Sequence, residues 1–260
     1  MSRGTLVLAD IWAELADLVL PAECAGCRGT RLPLRQGACE NCAAALRALR
    51  PAPARPTPAP PGLPECVALG AYQGVLREML LSYKERGRHS LARPLGMLLA
   101  EVVAEAAGGR RPVLLVPVPA TARAVRARHG DHLRRLARHA AVRLHGSGWP
   151  VAVASPLRAL PRPDSATLDS AGRAAAAAGA FRPRGRRLAA VRRLAAGRTV
   201  VVLDDIVTTG VTLTAVARLL AGAGIGVRAA AVLAATVRRS GDRVGGSDRN
   251  GVSFPDGIRT

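Results

Sequence analysis

An α/β protein built on a parallel sheet, preceded by a small four-cysteine module, is what the sequence predicts. Three observations carry the expectation. Short apolar strands alternate with helical patterns from residue 66 to residue 235. Four cysteines fall in two C-x2-C pairs between Cys24 and Cys42. An apolar, β-branched run ends in Asp204-Asp205 and passes through a Thr-Gly loop into a helix. Strands that alternate with helices argue for a parallel sheet covered on both faces.

Composition bounds the class before any motif is read. With 260 residues, 49% hydrophobic and 22% charged, the chain is long enough for one large or two small globular domains. The longest stretch free of Asp, Glu, Lys and Arg, Leu144 to Leu157, is interrupted by Gly146, Gly148, Pro150 and Pro156. A membrane helix needs about 20 apolar residues, so no membrane insertion is expected. Asp10, Glu14 and Asp17 punctuate the N-terminal stretch, which argues against a secretory signal and for the cytoplasm.

Taken in order, residues 6–19 set Leu8, Ile11, Leu15 and Leu18 at helical spacing, and Ala43 to Arg50 reads as a short helix. Seven prolines between Pro51 and Pro64 argue for a semi-rigid linker between two cores, a stretch that can neither continue a helix nor pair in a sheet. Cys66 to Tyr72 reads as a strand, and Val75 to Tyr83 and Leu91 to Ala106 as helices. Pro112 to Val116 is a short strand, Asp131 to Leu144 a helix, and Val151 to Ala154 another strand. Ser155 to Ser170 reads as a mobile loop, and alanine propensity suggests a helix at Ala171 to Ala178. Thr199 to Leu203 is a strand, Thr212 to Ala221 a helix, and Val227 to Ala235 the last strand. The expected organisation is a helix and cysteine module at 1–50, a linker at 51–64, the α/β domain at 65–238 and a disordered tail at 239–260.

Cys24, Cys27, Cys39 and Cys42 form C-x2-C-x11-C-x2-C. Each pair can turn sharply enough to present two thiolates to one ion, and four thiolates suit a closed tetrahedral zinc site. Two disulfides would need an oxidising compartment, which nothing in the sequence indicates. A structural zinc is therefore expected. Cys66 lies outside the pattern and reads as a small buried hydrophobe.

The most informative stretch runs from Val200 to Thr212, Val-Val-Val-Leu-Asp-Asp-Ile-Val-Thr-Thr-Gly-Val-Thr. An apolar strand delivers two carboxylates at its C-terminal end, where ligands of open α/β sheets bind. Thr208, Thr209, Gly210, Val211 and Thr212 then open a helix, whose backbone N–H groups and three hydroxyls form an anion cradle. Asp204 and Asp205 would repel a phosphate but suit hydroxyls and a hydrated Mg²⁺. Both acids are expected at the exposed end of the strand. The site thus asks for a sugar phosphate. No G-x-x-x-x-G-K-[ST] and no G-x-G-x-x-G after a strand is present.

This string resembles the phosphoribosyl pyrophosphate (PRPP) binding motif of type I phosphoribosyltransferases. With the four-cysteine module in front, the chain is similar to the ComF family, named for a competence protein of DNA uptake. Tyr83-Lys84-Glu85-Arg86-Gly87 resembles that family's lysine-glycine segment, Val116-Pro117-Val118-Pro119 its pyrophosphate-contacting loop, and Arg126 to His132 its R-x-R-G-x-[ND]-[QH] element. Ser165 stands where the family shows Gln, and Ala176 where it shows Asn, while Arg158, Arg162 and Arg173 are kept. The resemblance implies a type I phosphoribosyltransferase-like domain that binds PRPP with Mg²⁺ and transfers or hydrolyses at the ribose anomeric carbon, releasing pyrophosphate. Thr208, Thr209, Gly210, Val211 and Thr212 would hold the 5′-phosphate, with Asp204 and Asp205 on the ribose hydroxyls. Lys84, Arg123, Arg126 and Arg128 are the candidate partners of pyrophosphate.

Charge supplies the rival class. The formal net charge is +20, and residues 111–200 hold 18 arginines against three aspartates. Such an excess suits a polyanion, either a substrate with several phosphates or nucleic acid. The alternative function is a non-catalytic competence factor that binds single-stranded DNA or a helicase partner. With only two Trp, two Tyr and two Phe, there is little to stack bases on, so DNA binding is expected to be weak. A sensor that binds PRPP without turnover is a third reading, and a homodimer is compatible with each.

Overall fold

The computed structural model describes residues 23–161 and 179–236, and the backbone of Gly251–Ser253. The expected helices at 6–19 and 171–178, with Arg162, Ser165, Arg173 and Ala176, lie outside these residues. So does the expected tail, except for Gly251–Ser253.

The cysteine module begins with a turn at Cys24–Gly29 and a two-strand hairpin, β1 (Leu34–Arg35) and β2 (Ala38–Cys39). Its two-residue loop, Gln36-Gly37, has φ of 52° and 79°. Two positive φ angles give the turn that matches strand twist. The hairpin feeds helix α1 (Glu40–Ala48), whose first turn carries Cys42.

The central sheet has six strands in the order β3 (Ala52–Pro53), β5 (Glu65–Ala71), β11 (Ala229–Ala235), β10 (Thr199–Val207), β6 (Val113–Pro117) and β7 (Val151–Val153). All pairings are parallel except that of β3 with β5. The sequence Ala-Ala-Ala-Val-Leu-Ala-Ala of β11 is buried throughout, as a central parallel strand covered on both faces requires.

The proline-rich stretch departs from the expected linker. Ala52 and Pro53 pair with Ala68 and Val67, and β4 (Arg55–Thr57) pairs with β12 (Gly251–Ser253). Proline, which cannot donate to a ladder, is tolerated on an edge strand, and β3 is the edge. The expected mobile loop is also partly ordered: β8 (Leu157–Ala159) pairs antiparallel with β9 (Phe181–Pro183).

Helices α2 (Gly74–Lys84) and α3 (Ala92–Ala107) connect β5 to β6, and α4 (Ala122–Ala127) and α5 (His132–Gly146) connect β6 to β7. Helix α6 (Gly185–Ala195) precedes β10, and α7 (Val211–Ala221) joins it to β11. Leu95, Leu99, Val102, Val103 and Ala106 line one stripe of α3, which packs on β5, β11 and β10 and against α5. The chain leaves β10 toward β11 on one side and leaves β6 toward β7 on the other. Between these neighbours lies the topological switch point, where open α/β sheets form their ligand crevice.

The expected separation of two cores is not seen. Cys24, Ala25, Cys42 and Leu46 of the module join the same buried cluster as Leu76, Met79 and Leu80 of α2. Ser82 Oγ donates to the Ala25 carbonyl at 3.1 Å, and Arg28 pairs with Glu78 at 2.9 Å. No helix among the described residues is long and apolar enough to cross a membrane.

Candidate functional site

Strand β10 does not stop at Leu203, as its apolar run suggests, but continues through Asp204, Asp205 and Ile206 to Val207. On one side Asp204 still pairs with Val232 and Val207 with Ala235 of β11. On the other side pairing ends at Leu203 and Pro117, with one further bond from Val118 N–H to the Leu203 carbonyl. Beyond that point β6 has turned away, and the two acids face the gap.

That gap is a cleft of about 390 Å³, within the range of small-molecule sites. Its polar lining is Lys84, Thr121, Arg128, His132, Asp204, Asp205 and Thr212. Val118, Pro119, Ala120, Leu133 and Phe181 supply apolar walls. Five segments distant in sequence therefore meet here: the end of α2, the loop and short helix after β6, the start of α5, the β8–β9 hairpin, and the β10–α7 junction.

Asp205 is the centre of the arrangement and is buried, not at an exposed strand end. Its Oδ2 lies 2.9 Å from Lys84 Nζ and 2.8 Å from His132 Nε2. Burial would raise its pKa, but the His132 hydrogen bond and the Lys84 ammonium outweigh burial and hold the carboxyl below the usual range. Asp204 is half-buried, and its Oδ1 accepts the Asp205 N–H at 2.9 Å. Burial, and then the adjacent Asp205 charge, push its pKa upward. The two acids are thus unlike each other: one is ionised and tied down, the other is open to the cleft and resists ionisation.

The loop beyond them turns at Gly210, which caps α7 with φ of 75°. A Cβ there would need a rarely adopted backbone and would meet Leu63 Cδ1 at 2.8 Å and Pro56 Cγ at 3.2 Å. The proline-rich stretch therefore braces the loop from outside. Thr214 N–H donates to the Gly210 carbonyl at 2.9 Å, which starts the helix and leaves its first amides pointing outward past Thr212. Of the loop residues, Thr212 lines the cleft, Thr208 is exposed, Thr209 and Val211 are half-buried, and Gly210 is buried.

Lys84 and Arg128 reach the cleft, and Arg128 also pairs with Glu85 at 3.1 Å. Arg123 and Arg126 are exposed and do not line it. Helical geometry explains the split: positions 121, 124 and 128 share one face at i, i+3 and i+7, while 123 and 126 point elsewhere. Among the described residues, Arg128 is the one arginine of the 111–200 stretch in this cleft. Several of the others brace local structure, with Arg184 donating to the Leu157 carbonyl, Arg135 to that of His129 and Arg198 to that of Leu194. His132 and Tyr83 were not singled out by sequence. His132 closes the Arg126 to His132 element, and its place just after the Asp131 N-cap of α5 is the signal that marks it.

The four cysteine sulfurs lie within 4.8 Å of one another, and Cys27 Sγ is 3.8 Å from Cys39 Sγ. A tetrahedral ion with Zn–S bonds of about 2.3 Å sets its sulfurs about 3.8 Å apart, so the cluster fits zinc. Gly26 and Cys39 N–H groups donate to Cys24 Sγ at 3.4 and 3.3 Å. Burial opposes ionisation of Cys24, yet these backbone donors, with that of Cys27, pull its pKa down.

Residues 168–249 match the family model of the phosphoribosyl transferase domain. The match spans β9, α6, β10, α7 and β11 and takes in the whole Asp204–Thr212 loop. None of the curated proteins matches the chain. The phosphoribosyltransferase-like domain thus combines a mostly parallel sheet with a cysteine cluster near its N-terminus. Its matched loop lies beside the cleft, while the cleft's other wall, from Val118 to Leu133, comes from outside the matched span.

Proposed function

We propose that this chain binds PRPP in the cleft between β10 and β6 and transfers its ribosyl group to an acceptor, with pyrophosphate as the leaving group. One observation carries the reading. A carboxylate pair and a helix N-terminus, which suit the two ends of a ribose 5-phosphate, share one cleft with Lys84 and Arg128, which suit a diphosphate.

In this reading the amides of Thr208 to Thr212 hold the 5′-phosphate, and Asp204 meets the ribose hydroxyls from the open side of the cleft. Asp205 offers its second oxygen while Lys84 and His132 hold the first. The acceptor bonds to the anomeric carbon as the carbon–oxygen bond to pyrophosphate breaks, and the bonding electrons leave with pyrophosphate. The cationic side chains of Lys84 and Arg128 stabilise charge as it builds on that leaving group. Mg²⁺ suits the hard oxygen donor of Asp204, and when bound it would neutralise part of the diphosphate charge. The ComF resemblance of the cysteine module and the lysine-glycine segment points to the same assignment. The cysteine cluster, closed by four thiolates, serves as a structural zinc site.

Calorimetry with Mg²⁺ and three ligands tests the reading. Asp204→Asn is expected to weaken PRPP and ribose 5-phosphate by up to about tenfold, the worth of one hydrogen bond to the sugar, and to leave inorganic phosphate unchanged. Thr209→Val is expected to weaken all three. Equal PRPP affinity in wild type and Asp204→Asn would place the sugar elsewhere.

A further inference from the structure

The geometry points to His132 as a positioning residue for Asp205 and to Lys84 as an ammonium that changes partner, from Asp205 to the ligand's diphosphate, when the cleft fills. The inference rests on the reading of the cleft as a ribosyl diphosphate site.

Asp205 holds two donors on one oxygen: Lys84 Nζ at 2.9 Å and His132 Nε2 at 2.8 Å. They come from opposite walls, Lys84 from the last residue of α2 and His132 from the first of α5. The two differ in freedom. Tyr83, fully buried, donates its hydroxyl to the His132 carbonyl at 2.7 Å, and the two rings meet edge to face at 6.3 Å. The imidazole is therefore fixed at its backbone and along its edge. Lys84 ends a flexible four-carbon stem, keeps 18% of its side chain exposed and lines the cleft. It is also the chain's single lysine among 38 basic residues.

A diphosphate entering the cleft brings more negative charge than Asp205 offers, and Lys84 has the reach to follow it. Asp205 would then be a buried carboxylate without its ammonium, a costly state unless another donor stays. His132 is that donor. It keeps Asp205 oriented while Lys84 serves the leaving group, so the ribose contacts do not loosen when the diphosphate binds. A purely structural contact would instead keep both donors on Asp205 in every state.

The test uses the full-length, metal-loaded chain and calorimetry in Mg²⁺ with PRPP, ribose 5-phosphate and inorganic phosphate. Lys84→Met is expected to weaken PRPP about tenfold or more while ribose 5-phosphate stays within about threefold of wild type. His132→Ala is expected to weaken both sugar ligands about tenfold or more and to spare inorganic phosphate, and His132→Gln, whose amide reaches the Nε2 position, to restore them. Should His132→Ala not fold, His132→Asn, whose amide falls short of Asp205, takes its place. Failure of His132→Gln to rescue, or an equal loss of both sugar ligands in Lys84→Met, would overturn the inference and leave the site reading standing. Wild type that binds neither sugar ligand would overturn the site reading itself.

Discussion

Asp205→Asn is a substitution whose cost follows from the contacts around it. The asparagine keeps an oxygen where Oδ2 stood, so the shape and much of the hydrogen bonding survive. What is lost is the charge. Two effects oppose each other. Neutralising Asp205 relieves Asp204, whose pKa is raised by burial and by that same charge. It also strips the Lys84 ammonium of its counter-charge at 2.9 Å and His132 of its acceptor charge at 2.8 Å. Asp204 can shed the repulsion by taking up a proton, whereas Lys84, 18% exposed, recovers only part of its solvation by turning toward the cleft, so the loss prevails. Removing one partner of a buried pair costs about 3–5 kcal/mol. Lys84 keeps some water contact, which favours the lower end, about 3 kcal/mol. For a chain of this size each kcal/mol moves Tm by about 2–4 °C, so a fall of roughly 6–12 °C is expected at neutral pH. The pH dependence has a definite sign. A native carboxyl held below its unfolded value adds stability above the unfolded pKa, about 4 for aspartate, and loses it as pH falls toward the native one. The gap between wild type and variant should be full at neutral pH and narrow below about pH 5. Thermal unfolding followed by circular dichroism across that range measures it. Equal Tm at neutral pH, or a gap that acid does not narrow, would refute the reasoning.

Gly96→Ala tests the packing that sets α5, and with it His132, over the sheet. A Cβ at Gly96 would lie 2.4 Å from His139 Cβ, an atom no rotamer can move, so the roughly 1 kcal/mol of helix propensity should be outweighed by an overpacking cost of about 1–3 kcal/mol, and net stability in urea should fall by up to about 2 kcal/mol. Gly146→Ala, with nothing within 4 Å, should be neutral or stabilising by up to about 1 kcal/mol, and the same direction for both would contradict the packing. Thiol titration should find no reactive cysteine in metal-loaded native protein, four after chelation, and the fifth, Cys66, only on unfolding, because burial pushes its thiol up to about 12 against the partial pull of Arg55. Chelation should also lower amide protection in α2, since Ser82 and the Leu76–Leu80 face pack on the module; exchange confined to residues 23–48 would show that the two are independent.

Most of the sheet was legible because β5, β6, β10 and β11 are short apolar runs set between helical patterns. Thr199–Val207 shows where that legibility stopped. A charge normally ends a buried strand, and only the missing β6 partner beyond Leu203 explains why two aspartates continue this one. Helix α6 was not expected, since Gly-Arg-Arg-Leu-Ala-Ala-Val-Arg-Arg-Leu-Ala buries only Val191 and its apolar stripe is narrow. The proline-rich stretch was misread because sequence does not reveal that β5 needs an edge neighbour, the one sheet position where Pro53 is tolerated. At the site, the loop from Asp204 to Thr212 and the cysteine ligands were readable as local strings. The tie between Lys84, Asp205 and His132 was not, because it joins residues up to 121 positions apart and depends on how α2 and α5 converge.

The most direct measurement is a crystal structure of the zinc-loaded protein with PRPP and Mg²⁺. The account predicts the 5′-phosphate at the N-terminus of α7 against the amides of Thr208 to Thr212, the ribose hydroxyls beside Asp204, and the diphosphate near Arg128, with Lys84 Nζ moved off Asp205. Phosphate bound instead in the groove between α6 and Ala223, which Arg192 and Arg193 line, with the β10–β6 cleft empty, would contradict it.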